Sequence, residues 1–416
     1  MPESSTATVA GGGRPDEQVS PGQAESAEFA EVFAQFACPQ AAPDEDLFAT
    51  VVGDYAQAWT ARFLEEFRGQ LTSRGRGLGE LVRGWLEATP PWETLWDSTQ
   101  GLVRRAVLVP CDPLPAAAQL GLSLVAGGHA GDFGIRLHSP QRFRAGRWLL
   151  PRAVAFTAQP QEGQGEGEGG VRLRLEPPDG GSVLELEWRD GSWSGPGLLE
   201  LPRVRRGEFD AFQWTAEAGD AYMAAIEPYD PSSTSHAEIG ALCLEALELL
   251  ETHAPSYARW VSRVVREIAP IHAAEGELRS YNGDDEHPGR VSFSVPAQPA
   301  AVAEMLVHES SHLHLAIARR LGDVVNGLDN ETYFSPIRGT ERPIERVLYA
   351  YHAFGNVALF YRRCIESGIQ DGGYCERNLE RHRPELETLR EGLGRTRGLT
   401  ELGRVLWRSV EEQLER

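Results

Sequence analysis

The chain has 416 residues, 41% of them hydrophobic, and carries 61 acidic against 40 basic residues, a net charge of −21. That length suits two or three domains with a sizeable core, and that charge excludes a nucleic-acid partner, because no basic stripe offsets phosphate repulsion. All 40 basic residues are arginine, which rules out a lysine Schiff base, pyridoxal-phosphate chemistry and a Walker-type phosphate loop, and leaves a guanidinium as the only fixed cation for a carboxylate.

Residues 1–26, rich in Gly, Ser, Pro and Glu, are expected to be a disordered tail, and they lack the basic and apolar regions of a signal peptide. Residues 27–100 are expected to be a helical region. Phe29, Val32, Phe33 and Phe36 make one apolar face, the stretches 55–71 and 78–86 make others, and Pro90-Pro91 breaks the run. From 101 to 206 the character changes. Short β-type runs at 103–109, 133–137, 148–157, 171–175, 182–188 and 198–204, parted by Asp-Gly and Gly-Gly turns, predict an antiparallel β unit. The glycine-rich stretch 162–170 is acidic and lies between strands, so it reads as a hairpin tip and not as a phosphate loop.

Residues 207–416 return to helix. Ser235 caps a helix expected over 235–275, with Ile239, Leu242, Ala246, Leu249 and Leu250 as its packing stripe. The turn-rich loop 282–289 carries Asp284, Asp285, Glu286 and His287. These types suit metal ligands, although charge runs usually face water. A strand over 289–296 is followed by a helix that starts near Pro299. Gly322 and Asn326-Gly327 end the helical stretch, and a polar connector follows over 333–343. A second helix runs from Pro343 to about Cys364, and residues 376–416 read as amphipathic helices. The five scattered cysteines, Cys38, Cys111, Cys243, Cys364 and Cys375, read as reduced thiols of a cytoplasmic protein. No apolar run reaches the ~18 residues of a membrane span, so no membrane partner is expected.

The helix after Pro299 carries the chemistry. Its centre, His308-Glu309-Ser-Ser-His312, is an H-E-x-x-H pattern. Ala301, Met305, His308, His312 and Leu315 recur at three and four, so both imidazoles share one face and can grip one metal ion. Glu309 lies about 100° further round, within reach of a metal-bound water or of a ligand it would hold in place. His314, about 200° from His312, is expected to face solvent. A strand followed by such a helix is the arrangement of zincin-like metalloproteins. Zinc and non-haem iron sites want at least three protein ligands. On the second helix Glu345, Tyr349, His352 and Asn356 share a face by their spacing; His352 is the first choice as third ligand and Glu345 the runner-up.

The span 308–363 resembles the H-E-x-x-H motif-containing peptide-modification proteins that accompany gene clusters for ribosomally made, post-translationally modified peptides. The matching residues are His308-Glu-Ser-Ser-His312-Leu-His-Leu, Ser335-Pro-Ile-Arg338, Arg342-Pro343-Ile and Tyr351-His-Ala-Phe-Gly-Asn356-Val-Ala-Leu-Phe-Tyr361. The family pattern can carry a further histidine where Tyr349 stands here. The resemblance implies modification of a precursor peptide at a metal centre by an Fe(II), 2-oxoglutarate-dependent oxygenase that hydroxylates a side chain at Cβ. The distal carboxylate of 2-oxoglutarate needs a cation, and Arg338 and Arg342 stand in the connector between the two helices. The alternative is a zinc metallopeptidase with Glu309 as general base. A third reading is a peptide-binding module without chemistry, with the β unit as platform. The expected fold is α+β, with a mainly helical, zincin-like C-terminal metal domain behind the central antiparallel unit.

Overall fold

The computed structural model describes residues 29–40, 43–87, 96–127, 129, 131–161, 170–214, 232–272, 279–282, 287–295 and 297–416. The tail 1–26, most of the glycine-rich stretch 162–170, and Asp284, Asp285 and Glu286 lie outside the described residues.

The fold is α+β, and its first part is helical: a 3-10 turn, Ala34–Phe36, then α1 (Glu45–Glu66) and α2 (Arg68–Arg74). A two-residue strand β1 (Gly75–Arg76) leads to α3 (Leu78–Glu87), α4 (Ser98–Leu108) and α5 (Leu114–Ala126). The run 103–109, expected as strand, is therefore mostly helix. Asp97 caps α4 by accepting from the Thr99 amide at 2.8 Å, and Thr99, Leu102, Val103 and Ala106 are among its buried residues, at helical spacing. A short apolar run does not by itself distinguish the two periods; the cap decided it.

The β unit begins at β2 (Phe133–Gln141) and continues through β3 (Arg144–Ala145), β4 (Trp148–Leu149), β5 (Ala153–Gln161), β6 (Gly170–Glu176), β7 (Leu184–Arg189) and β8 (Ser192–Ser194). Five of its strands, with β1 of the helical part at the edge, form one antiparallel sheet in the order β1-β2-β5-β6-β7-β8. Alternation is clean on β6, where Val171, Leu173 and Leu175 are buried while Arg172 and Arg174 face Glu187 and Glu185 of β7 at 3.7 and 3.2 Å. Strand β9 (Leu199–Glu200) closes a small sheet with β3 and β4.

The next strands, β10 (Arg203–Arg206) and β11 (Phe209–Gln213), leave that unit. After α6 (His236–His253) and α7 (Pro255–Val264) come β12 (Glu267–His272), β13 (Ser280–Asn282) and β14 (Arg290–Val295). They build a mixed sheet in the order β10-β11-β12-β14-β13, parallel from β11 to β14 and antiparallel at both ends. The helix expected over 235–275 thus ends in two corrections. Pro255 restarts it as α7 because it has no N–H to donate, and the β-branched residues after Val265 form β12 instead.

Helix α8 (Pro299–Ala318) follows β14 directly, starting at the proline as expected. It packs against α6, α7 and the strands β13 and β14, and then against α9 (Ile344–Glu366). Between α8 and α9 the polar connector proves to be a hairpin, β15 (Thr332–Ser335) and β16 (Thr340–Pro343), with Ser335 opposite Thr340. Gly339 supplies the left-handed turn at φ 63°. Helices α10 (Tyr374–Arg395) and α11 (Glu401–Glu415) cover the far side of α9. All five cysteines are free thiols, with only Cys111 exposed. Among the described residues, no helix is long and apolar enough to cross a membrane.

Two histidines were placed by this packing where sequence did not put them. His287, expected in a solvated acidic loop, is buried, and neither of its ring nitrogens has a partner among the described residues. Burial, helped by the charges of Arg290 and Arg105, holds it well below the usual histidine range. His352 is also fully buried, and burial lowers it to about 4. Both are neutral when folded and take up a proton near pH 6.5 when unfolded. The unfolded chain therefore binds more protons below that pH, and stability falls as pH drops from about 6.5 toward 4. Urea unfolding at pH 7.5 and pH 5 should show a loss of about 2 kcal/mol per such histidine. His287→Leu should make the loss shallower; an unchanged pH slope would contradict the neutral assignment.

Candidate functional site

The centre of α8 is buried on nearly every side, and its exception is the strip that carries His308 and His312. Their rings lie 5.0 Å apart between centroids and 75° to each other. His308 meets the Phe354 ring edge-on at 4.9 Å. The two imidazoles open into a cleft of about 300 Å³, whose walls include Asn282, Leu315, Arg319, Ser335, Arg338, Arg342, Arg346, Tyr349 and Phe354. Motif helix, edge strand β13, hairpin and α9 each supply part of the wall. Burial lowers His308 to about 4, with the charge of His382 adding to it. Burial and then the charge of His308 lower His312 to about 3. Both rings are thus neutral near pH 7, the state in which imidazole donates a lone pair to a metal.

Glu309 is not among the residues lining this cleft and is held to the edge strand β13. Ser280 Oγ donates to its Oε1 at 2.5 Å and Asn282 Nδ2 to its Oε2 at 2.8 Å. It is buried, and desolvation raises it above the usual carboxylate range, against the pull of His312 and of these two donors. His308 Nε2 is 4.0 Å from its Oε1. Glu309 thus ties the motif helix to β13, which a reading of H-E-x-x-H alone does not show.

The expected partners divide. Arg338, in the hairpin turn, and Arg342, on β16, line the cleft. His352 does not: its Nε2 donates to the Phe36 carbonyl at 2.9 Å and its ring lies 6.4 Å from that of Trp260. Asn356, one turn on, donates to the Ala37 carbonyl at 2.8 Å and accepts from Tyr257 Oη at 3.0 Å. Glu345 accepts from Tyr349 Oη at 2.8 Å and faces Arg319 at 3.5 Å. The face of α9 chosen from spacing is therefore only partly the cleft face, which runs Arg346, Tyr349, Ala350 and Phe354. His352 and Asn356 instead hold the N-terminal turn against the core. The helix is buried almost all round, so polar residues no longer marked one side.

His314, expected in solvent, is fully buried. It stacks on Trp260 at 4.0 Å and 4°, and its Nε2 donates to the Trp260 carbonyl at 3.0 Å. Opposite the cleft strip, α8 is enclosed and has no solvent face to offer.

The donor set fits a metal in part. Two neutral imidazoles one helical turn apart suit zinc or iron(II). No third histidine, cysteine or carboxylate joins them in a ligand cluster among the described residues. Tyr349 and Asn282 bring oxygen atoms to the same cleft. Sequence reading missed Ser280, Asn282, Arg319 and Arg346. A signal existed for Arg346, which stands four residues after Arg342 and three before Tyr349. No protein-family model matches this chain, and no curated protein matches it.

Proposed function

We propose that this cleft modifies a side chain of a ribosomally made precursor peptide at a metal held by His308 and His312, with 2-oxoglutarate as co-substrate. The order of β14, α8, hairpin and α9 supports a zincin-like arrangement of the metal domain. One observation carries the reading: the cleft that holds the two imidazoles is lined by the arginines 338 and 342, in a chain without lysine. Neither has an ion pair to a described carboxylate, and a guanidinium fork matches the distal carboxylate of 2-oxoglutarate. Tyr349 and Asn282 line the same cleft. Bound iron(II) would supply the oxygen activation that hydroxylation at Cβ requires.

The bonds of Glu309 support this reading over a zinc peptidase. A general base must offer an oxygen to the attacking water. Both Glu309 oxygens already accept hydrogen bonds from β13, and Glu309 is not part of the cleft wall. Its geometry suits holding His308 and His312 in place. The test is mass spectrometry of a co-expressed precursor peptide, with succinate measured alongside. The expected outcome is a peptide heavier by one oxygen atom, succinate formed with iron(II), and a raised 2-oxoglutarate requirement in Arg342→Ala. Two peptide fragments with zinc, no oxygen gained and loss of cleavage in Glu309→Gln would replace the oxygenase with a peptidase.

A further inference from the structure

The cleft wall carries four guanidiniums, Arg319, Arg338, Arg342 and Arg346, and no described Asp or Glu, although the chain as a whole has a charge of −21. These arginines sit in two groups. Arg338 and Arg342 belong to the hairpin. Arg319, at the end of α8, and Arg346, in the first turn of α9, flank the ring of Tyr349, each guanidinium carbon 5.4 Å from its centroid. Arg319 is answered by Glu345 at 3.5 Å. Arg346 has no ion pair to a described carboxylate, and its charge is felt by His312. It is therefore a cation beside the imidazoles that the co-substrate's single distal carboxylate, once on the hairpin, does not answer.

We propose that Arg346 receives a carboxylate of the peptide substrate, so that the residue presented to His308 and His312 is acidic or is the peptide's own C-terminus. The proposal rests on the reading above for the peptide itself. The Arg346 guanidinium lies over the Tyr349 ring, its carbon 5.4 Å from the centroid, a cation–π contact that leaves its N–H fork to meet a carboxylate with two parallel hydrogen bonds. A lysine or arginine in the peptide would meet Arg338, Arg342 and Arg346, cations with no ion pair to a described carboxylate, so the same arrangement also rejects basic residues. Arg346 is exposed to water, and its preference is accordingly moderate.

The test uses the full chain loaded with zinc and a set of short, C-terminally amidated peptides that differ only in a central Asp, Glu, Asn, Gln or Lys. An alanine version with a free C-terminus completes the set. Calorimetry should show Asp or Glu bound at least about fivefold tighter than Asn or Gln, and Lys weakest. Arg346→Gln should erase that preference with zinc content unchanged. Tight binding of the free-terminus peptide alone would support the same carboxylate site and assign its source to the chain end. Equal binding of acid and amide with no gain from the free C-terminus, a preference that survives Arg346→Gln, or no binding by any of the peptides overturns the proposal. A retained acidic preference with no oxygen insertion into the precursor would leave this site standing and remove only the oxygenase reading.

Discussion

Replacing either His308 or His312 with alanine is expected to abolish metal uptake and leave a folded protein. Both rings project from α8 into the cleft and away from the core contacts made by Leu306, Leu313 and Ile317. Their loss removes donors and little packing, so circular dichroism and the unfolding midpoint should stay close to those of the parent chain. With one imidazole left, a single strong donor remains from the protein. The drop in affinity should exceed the about 10–100-fold that follows from losing a residue that merely supports a ligand. His352→Gln makes the contrast. Its ring is anchored to the Phe36 carbonyl and is absent from the cleft wall, so it should lose stability and keep its metal. Metal analysis of the three purified variants decides the matter. Full occupancy in either alanine variant removes the site, and metal loss confined to His352→Gln would restore that histidine as a ligand.

This contrast also marks how far the sequence could be read. Helix α8 was legible because its signals are local: Pro299 opens it, and both imidazoles sit at a fixed spacing on its own surface. The sheet strands of the central unit were legible for the same reason, by alternation and turns, as on β6. What could not be read depends on distant partners. The face of α9 is set by Phe36, Ala37 and Tyr257, residues about 100 to 300 positions away along the chain. The grip of Ser280 and Asn282 on Glu309 needs β13 to pair with β14 across an intervening loop. His314 needed Trp260. Spacing gives the angle between two side chains on one helix, but it does not give the direction in which the helix is turned.

Arg144→Met is expected to cost about 3–5 kcal/mol of stability, the range for removing one partner of a buried ion pair. The Arg144 guanidinium donates to Glu267 Oε1 at 2.9 Å and lies 3.5 Å from Asp97 Oδ2. It also donates to the Gly146 carbonyl at 2.9 Å and lies over the Phe212 ring at 4.5 Å. Glu267 is fully buried and accepts from Trp214 Nε1 at 2.8 Å through its other oxygen. The three charged residues come from the cap of α4, from β3 and from β12, so one network joins the helical region, the β unit and the sheet that feeds α8. Without the guanidinium, Glu267 stays buried and loses the cation that donates to its Oε1 at 2.9 Å. The double variant Arg144→Met, Glu267→Met should recover much of the loss, because apolar side chains of similar size often replace a buried pair at little cost. pH gives an independent sign. Burial already raises Asp97 above the usual aspartate range against the pull of Arg144, and losing that pull raises it further. A carboxyl whose folded pKa is raised binds its proton more readily in the folded state, so it adds stability as pH falls and loses it as pH rises. The deficit of Arg144→Met relative to the parent should therefore shrink between pH 7.5 and pH 5. Urea midpoints of the parent, the single and the double variant at those two pH values test this. A deficit below about 1 kcal/mol at pH 7.5, or one that grows on acidification, would show that the network does not hold the three parts together.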